Sequence, residues 1–178
     1  MSKIQIYCAV SLDGFIAGVD DDLSWLGEPS MEQTNDPGTI PFDAFLNQTG
    51  ALIMGRRTFD VVMGFDGDWP YGSIPIFIAT TRPLPDVPTT VSACKGNIKD
   101  LCEQAKQVAG DKNVYLDGGN LITQALDADC VEEMILTAIP VLLGQGVPLY
   151  QGKQIQHFNS EFLGKLGTML QTKYTNAG

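Results

Sequence analysis

The sequence predicts one α/β domain, with a mostly parallel central sheet flanked by helices and antiparallel edge strands at the C-terminus. Three observations lead there. Short β-branched, apolar runs alternate with helix-compatible segments through the first two thirds of the chain. The end of the chain holds strand patterns without helices. No linker, repeat or low-complexity tract divides the 178 residues, so a single domain spanning 1–178 with a sizeable core is the simplest organisation.

Each element has its own signal. Residues 4–10 alternate apolar and polar and read as a strand, broken by Ser11-Leu12-Asp13-Gly14. Residues 15–17 return briefly to apolar character, 18–26 form an acidic loop, and 27–39 read as irregular because Pro and Gly recur among polar residues. Pro41 suits the first turn of a helix running to about Gln48, with Gly50 ending it. A buried strand over 51–54 leads into a helix over 57–63 closed by Gly64, and 64–73 is a loop. Strands follow at 74–79 and 89–92, joined by a proline-rich connector. Asn97 caps a helix through Val108. Then come a strand at 113–116, a helix at 121–128 and a strand at 131–139. The apolar run 141–149 is hinged by glycines, and 162–174 closes the chain as an antiparallel pair.

The formal net charge is -10. That balance argues against nucleic acid and against an anionic membrane surface, both of which need a basic face. It leaves room for an anionic small molecule, because the local field matters more than the total. The start shows no signal peptide, and no stretch approaches membrane-spanning length. Cys8, Cys94, Cys102 and Cys130 are scattered without a CxxC, which fits reduced thiols in a cytoplasmic protein. With His157 as the one histidine, expected at the surface, neither a metal site nor a Ser-His-Asp or Cys-His centre is expected.

The arginines carry the strongest functional signal. There are three, Arg56, Arg57 and Arg82, and all follow apolar strand-like runs. Gly55-Arg56-Arg57-Thr58 joins a strand to a helix start, where glycine permits close approach, helix N–H groups favour phosphate, and guanidinium forks add charge-assisted bonds. The competing reading is a surface turn whose arginines pair with carboxylates. Thr80-Thr81-Arg82 offers hydroxyls and a cation suited to a 2′-phosphate, with Lys95 a second candidate; a solvated turn is again the alternative. Asp117-Gly118-Gly119-Asn120 is a third strand-to-helix junction, though no GxGxxG is present. Three such junctions in one small domain suit a multi-phosphate ligand. Among the acids, Asp13, Asp43 and Asp117 stand near expected strand ends or on an expected helix. Asp43, in Phe42-Asp43-Ala44-Phe45-Leu46, is expected among apolar neighbours that would raise its pKa; a solvent-facing carboxylate is the alternative. Trp25 could wall a pocket or belong to the core.

Four motifs in this order carry a resemblance: residues 11–17 (SLDGFIA), 52–58 (LIMGRRT), 116–119 (LDGG) and 136–149 (LTAIPVLLGQGVPL). Together they resemble the dihydrofolate reductase fold. More closely, the chain is similar to stand-alone bacterial proteins related to the C-terminal reductase domain of riboflavin biosynthesis, over about residues 4–174. The resemblance implies an NADPH site. It would place Gly55, Arg56, Arg57 and Thr58 at the phosphates, Thr80, Thr81 and Arg82 at the adenosine 2′-phosphate, and Gly118, Gly119, Asn120 and Leu121 beneath the pyrophosphate. Ala9, Ile16 and Ala17 would line the nicotinamide, and residues 18–25 would match a mobile loop with Trp25 near its tryptophan. The proton would come from Asp43 or from water, with Trp25, Phe42 and Leu46 on the substrate side. Two departures are visible. The position of the pterin-binding acid is Thr39 here, with Asp43 one helical turn later, and Cys8-Ala9-Val10 precedes Ser11 where pyrimidine reductases carry lysine. The implied function is an NADPH-dependent reductase of a small heterocycle (pterin- or pyrimidine-like) or carbonyl compound. The alternatives are a non-catalytic NADP(H)-binding protein and an oligomeric scaffold. The apolar 139–149 segment could support a homodimer, although burial explains it equally.

Overall fold

The computed structural model describes residues 1–27 and 35–177; among them eight strands build one main sheet with four α-helices on its two faces, and two short strands pair apart from it. Along the chain these are β1 (Ile4–Ser11), β2 (Phe15–Ala17), α1 (Phe42–Asn47), β3 (Thr49–Gly55), α2 (Arg56–Met63), β4 (Ile76–Ala79), β5 (Val91–Cys94), α3 (Ile98–Ala109), β6 (Asn113–Asp117), α4 (Gly119–Asp127), β7 (Glu133–Ile139), β8 (Val147–Pro148), β9 (Phe158–Leu166) and β10 (Met169–Asn176). The eight-stranded sheet runs β5-β4-β3-β6-β1-β7-β10-β9. Its first six strands are parallel, while β10 pairs antiparallel with both β7 and β9. The expected architecture is therefore the observed one. Part of the expected irregular segment 27–39 lies outside the described residues.

Alternation on the strands feeds two cores. Ile4 and Ile6 of β1, Ile53 of β3 and Leu116 of β6 pack beneath α3 and α4. Leu52, Met54 and Tyr115 face the other way, against Phe45 of α1 and Phe59 of α2. Asn97 caps α3 as its sequence signal predicts, accepting from the Asp100 N–H at 3.0 Å.

Some boundaries differ, with physical causes. Gly50 does not end α1 but lies inside β3; a Cβ there would stand 2.5 Å from the Ala109 carbonyl oxygen. The C-terminus of α3 sits directly on that strand, and only glycine admits it. α4 begins at Gly119, two residues earlier than expected, because Gly118 at φ +109 turns the chain straight into it. The 141–149 run is neither core nor a strand throughout: Leu142 is exposed, and Val147–Pro148 pairs with β2.

One feature of the register positions the site. β1 and β6 share only the rungs Ile4↔Val114 and Gln5↔Tyr115. β1 stays paired with β7 to Ser11, and β6 with β3 to Asp117. The two central strands therefore part company towards their C-terminal ends. In an open α/β sheet, crevices at the carboxyl ends of strands are where ligands bind.

Candidate active site

A cavity of about 900 Å³ opens at the carboxyl edge of the sheet and is lined by all three junctions. Gly55, Arg56, Arg57 and Thr58 enter from β3–α2, Thr80, Thr81 and Arg82 from the end of β4, and Gly118, Gly119, Asn120 and Leu121 from β6–α4. Ile16 and Ala17 of β2 complete the wall, joined by Lys95 and Gly96 after β5. Helices α2 and α4 both start at this cavity behind a glycine that supplies no side-chain cap, so their first N–H groups are left for a ligand.

The tight passage is at Gly118. A Cβ there would stand 2.9 Å from Thr58 Oγ1, and one on Gly119 would stand 2.9 Å from Val147 Cγ1. The paired glycines thus let α4 close on α2 and β8 while keeping its N-terminus open to the cavity.

The arginines are engaged with carboxylates. Arg56 donates through Nε to Asp60 at 2.8 Å and through Nη1 to the Pro83 carbonyl at 2.9 Å, and Arg82 Nη2 reaches the same Asp60 at 3.3 Å. Arg57 Nε donates to Asp21 Oδ2 at 2.6 Å, tying the acidic loop to the start of α2. The arginines thus pair with acids, and all three line one cavity. Exposed pairs of this type contribute about 0–1 kcal/mol, so exchanging them for a phosphate is cheap.

The three acids separate clearly. Asp13 is a structural clamp. It accepts from Ser11 Oγ at 2.6 Å and from the Leu143 and Gly144 N–H groups at 3.1 and 2.7 Å. These bonds, Ser11's first, hold its carboxyl down at about 2. A depressed pKa favours the native state above the ordinary carboxylate range, and that contribution disappears as pH falls through about 2. Asp13→Ala is expected to free the 140–146 loop, seen as faster amide hydrogen exchange in that peptide at neutral pH. Unchanged exchange there would show that the clamp holds nothing.

Asp43 is exposed on the first turn of α1 and does not line the cavity. The expected apolar enclosure fails because residues 43 and 45 point to opposite sides of a helix, and Phe45 is the buried one. Phe42 and Leu46 are likewise outside the cavity lining, although Phe42 joins Tyr7, Phe45 and Tyr115 in an aromatic cluster. Trp25 is also off the wall, its indole N–H donating to the Asp22 carbonyl at 3.0 Å; Asp21 and Leu23 of the same loop line the cavity instead. Ala9 is half-buried on β1, past the last rung shared with β6, and is not in the lining.

Asp117 is one of two carboxylates on the cavity wall, with Asp21, and among the described residues it is the one of the two that makes no ion pair. It is half-buried, and desolvation raises its pKa against the Gly118 N–H, 2.8 Å from Oδ1, and the Tyr115 hydroxyl. Cys8, on the facing strand, is pushed up by burial and by the Asp117 charge. Sequence reasoning missed Tyr71, Phe65, Val61 and Gln124 in the lining. The signal for Tyr71 was the Asp-Trp-Pro-Tyr run itself, two aromatics in a loop that solvation does not require.

The family model for the RibD C-terminal domain matches residues 2–173. The chain belongs to that family. Two Bacillus subtilis (strain 168) relatives, the uncharacterized proteins YwjB and YyaP, are 32% and 29% identical to it. Each match covers 83% of this chain, and 82% and 80% of the relative. Among solved structures, a Shewanella sp. PV-4 protein assigned by name to riboflavin biosynthesis is 33% identical, with TM-score 0.84 and 99% of each chain covered. Acinetobacter baumannii RibD, at 17% identity and TM-score 0.70, matches all of this chain with 59% of its own. Enterococcus faecalis dihydrofolate reductase complexed with NADP(H), at 13% identity, TM-score 0.62 and coverage of 99% and 97%, shares the fold. This RibD C-terminal domain thus has a dihydrofolate reductase-like architecture. Among the described residues no helix is long and apolar enough to cross a membrane, and no group of three acidic, His or Cys residues is placed to hold a metal ion.

Proposed function

We propose that this protein is an NADPH-dependent reductase that transfers hydride to a small pterin- or pyrimidine-like heterocycle or carbonyl compound. The observation that carries this reading is the single cavity fed by three strand-end junctions, with two uncapped helix starts and a desolvated acid on its wall. The residues fit the cofactor. Gly55–Thr58 and the start of α4 would receive the pyrophosphate, and Thr80, Thr81, Arg82 and Lys95 the adenosine 2′-phosphate. Ile16 and Ala17, beside the opening between β1 and β6, would flank the nicotinamide with Ala9. When bound, NADPH supplies the hydride.

The chain's own contribution is orientation, exclusion of water and a proton. Burial raises the Asp117 pKa and so favours its protonated form at the cavity wall, where it is placed to deliver a proton to the substrate atom that gains electron density. It takes over the acid's role from Asp43, which faces solvent. The loop over 18–25, tied to α2 by Asp21 and Arg57, covers one side.

Titration with NADPH and NADH tests the cofactor assignment. Tight NADPH and weak NADH binding is expected, and Arg82→Gln should cut the preference for NADPH by about tenfold, the worth of one charge-assisted bond. Equal affinities for both nucleotides would remove the 2′-phosphate assignment. A panel of pterins, pyrimidines and carbonyl compounds then separates a reductase from a carrier: NADPH held but never oxidised would mean a non-catalytic NADP(H)-binding protein.

A further inference from the structure

The loop between α2 and β4, residues 64–75, carries two aromatic side chains whose polar atoms have no hydrogen-bond partner. Tyr71 is only 6% exposed, yet it lines the cavity. Among the described residues its hydroxyl makes no hydrogen bond, and its ring meets Trp69 edge-on, centroids 5.4 Å apart at 76°. The Trp69 indole N–H is itself buried without a partner. A buried donor left unpaired is costly, so an orphan persists where a ligand completes it. Here the buried orphan is the Trp69 indole, and its neighbour Tyr71, with a hydroxyl that no protein group engages, lines the cavity.

We propose that Tyr71 is a substrate-contacting residue, its hydroxyl donating a hydrogen bond to an acceptor oxygen of a flat conjugated carbonyl compound, with Trp69 holding its ring in place. This deepens the reductase reading and rests on it. The chemical class follows from the surroundings. Burial and the nearby Asp117 charge both favour the phenol over the phenolate, so Tyr71 is a donor at neutral pH. The desolvating surroundings that raise the Asp117 pKa also disfavour a negative ligand group, whereas a neutral carbonyl or lactam oxygen escapes that penalty. The phosphate-binding cations Arg56, Arg57 and Arg82 are committed to Asp60 and Asp21 at the other junctions, which leaves the Tyr71 side to the uncharged, reacting end of a ligand. The flat ring is favoured by the aromatic and aliphatic lining, Tyr71, Phe65 and Val62.

The chain has two tryptophans, so a Trp25→Phe background leaves Trp69 as the sole indole and as a reporter beside Tyr71. The probe is lumazine (2,4-dioxopteridine), a neutral conjugated dicarbonyl heterocycle, titrated at pH 6.5 against Trp69 emission; NADPH is titrated separately by its own fluorescence. Saturable quenching by lumazine is expected, weakened about tenfold by Tyr71→Phe, with the NADPH Kd unchanged within about twofold. That retained NADPH affinity also reports an intact fold. Lumazine affinity unchanged in Tyr71→Phe overturns the contact, and absence of saturable quenching in the parent overturns the ligand class. A parallel loss of NADPH affinity in Tyr71→Phe would place Tyr71 in the cofactor cradle and overturn the proposal. If the parent binds lumazine but not NADPH, the reductase reading fails while the Tyr71 contact stands.

Discussion

Asp117→Asn is expected to reduce turnover by about 10²–10⁴-fold, the usual worth of a positioned general acid, while leaving the NADPH Kd within about threefold. The side chain keeps its size and can still accept from the Gly118 N–H, so the α4 start should not move. What disappears is the proton. The same substitution should raise the Tm at pH 7. The folded-state pKa of Asp117 lies above its unfolded value. A raised carboxylate contributes stability that is complete below the unfolded pKa and is lost as pH rises through the folded one. Above the unfolded pKa, folding must therefore bind a proton or bury a charge, and a neutral amide relieves that cost. For a domain of this size each kcal/mol recovered appears as roughly 2–4 °C in Tm. The rate of the parent should fall as pH rises through the Asp117 pKa, and that limb should vanish in the variant. A variant as active as the parent, or one with a lowered Tm and the same pH profile, would take the acid role away from Asp117.

Gly118→Ala is expected to lower NADPH affinity at least tenfold and to cost about 1–3 kcal/mol in strain alone. The residue sits at φ +109, and its new Cβ would meet Thr58 Oγ1 at 2.9 Å with the Gly55 backbone close behind. Relief requires α4 to back away from α2, which separates the two helix starts that face the cavity. Gly110→Ala is the control. It has φ +62 at the end of α3, with nothing within 4 Å of the added carbon. It should lose stability through strain but retain NADPH affinity. Calorimetry of both variants, with and without NADPH, separates the two effects; equal nucleotide affinities would show that the Gly118 passage does not shape the site.

Much of the architecture was legible because it rests on local signals. The alternation in β1, the Asn97 cap and the three glycine- or arginine-bearing junctions each declare themselves within a few residues. Their convergence followed from one topological fact: parallel strands joined by helices all end at the same edge. Gly50 was not legible, since its need for a bare Cα comes from Ala109, far along the chain. The acid was not legible either. Asp13, Asp43 and Asp117 are the same side chain near comparable element ends, and three different surroundings make one a clamp, leave one exposed on a helix and raise the pKa of the third at the cavity wall.

By itself, then, the sequence determined the α/β class, the order of its elements, the antiparallel finish and the glycine- and arginine-bearing junctions at strand ends, because each depends on neighbours a few residues apart. The tertiary structure alone decided which carboxylate is desolvated, that Tyr71 enters the cavity from a loop, and that β1 and β6 separate after two shared rungs. Burial and close approach are made by elements distant in sequence, and the free energy of a charge or a donor is set by those neighbours rather than by its own residue type.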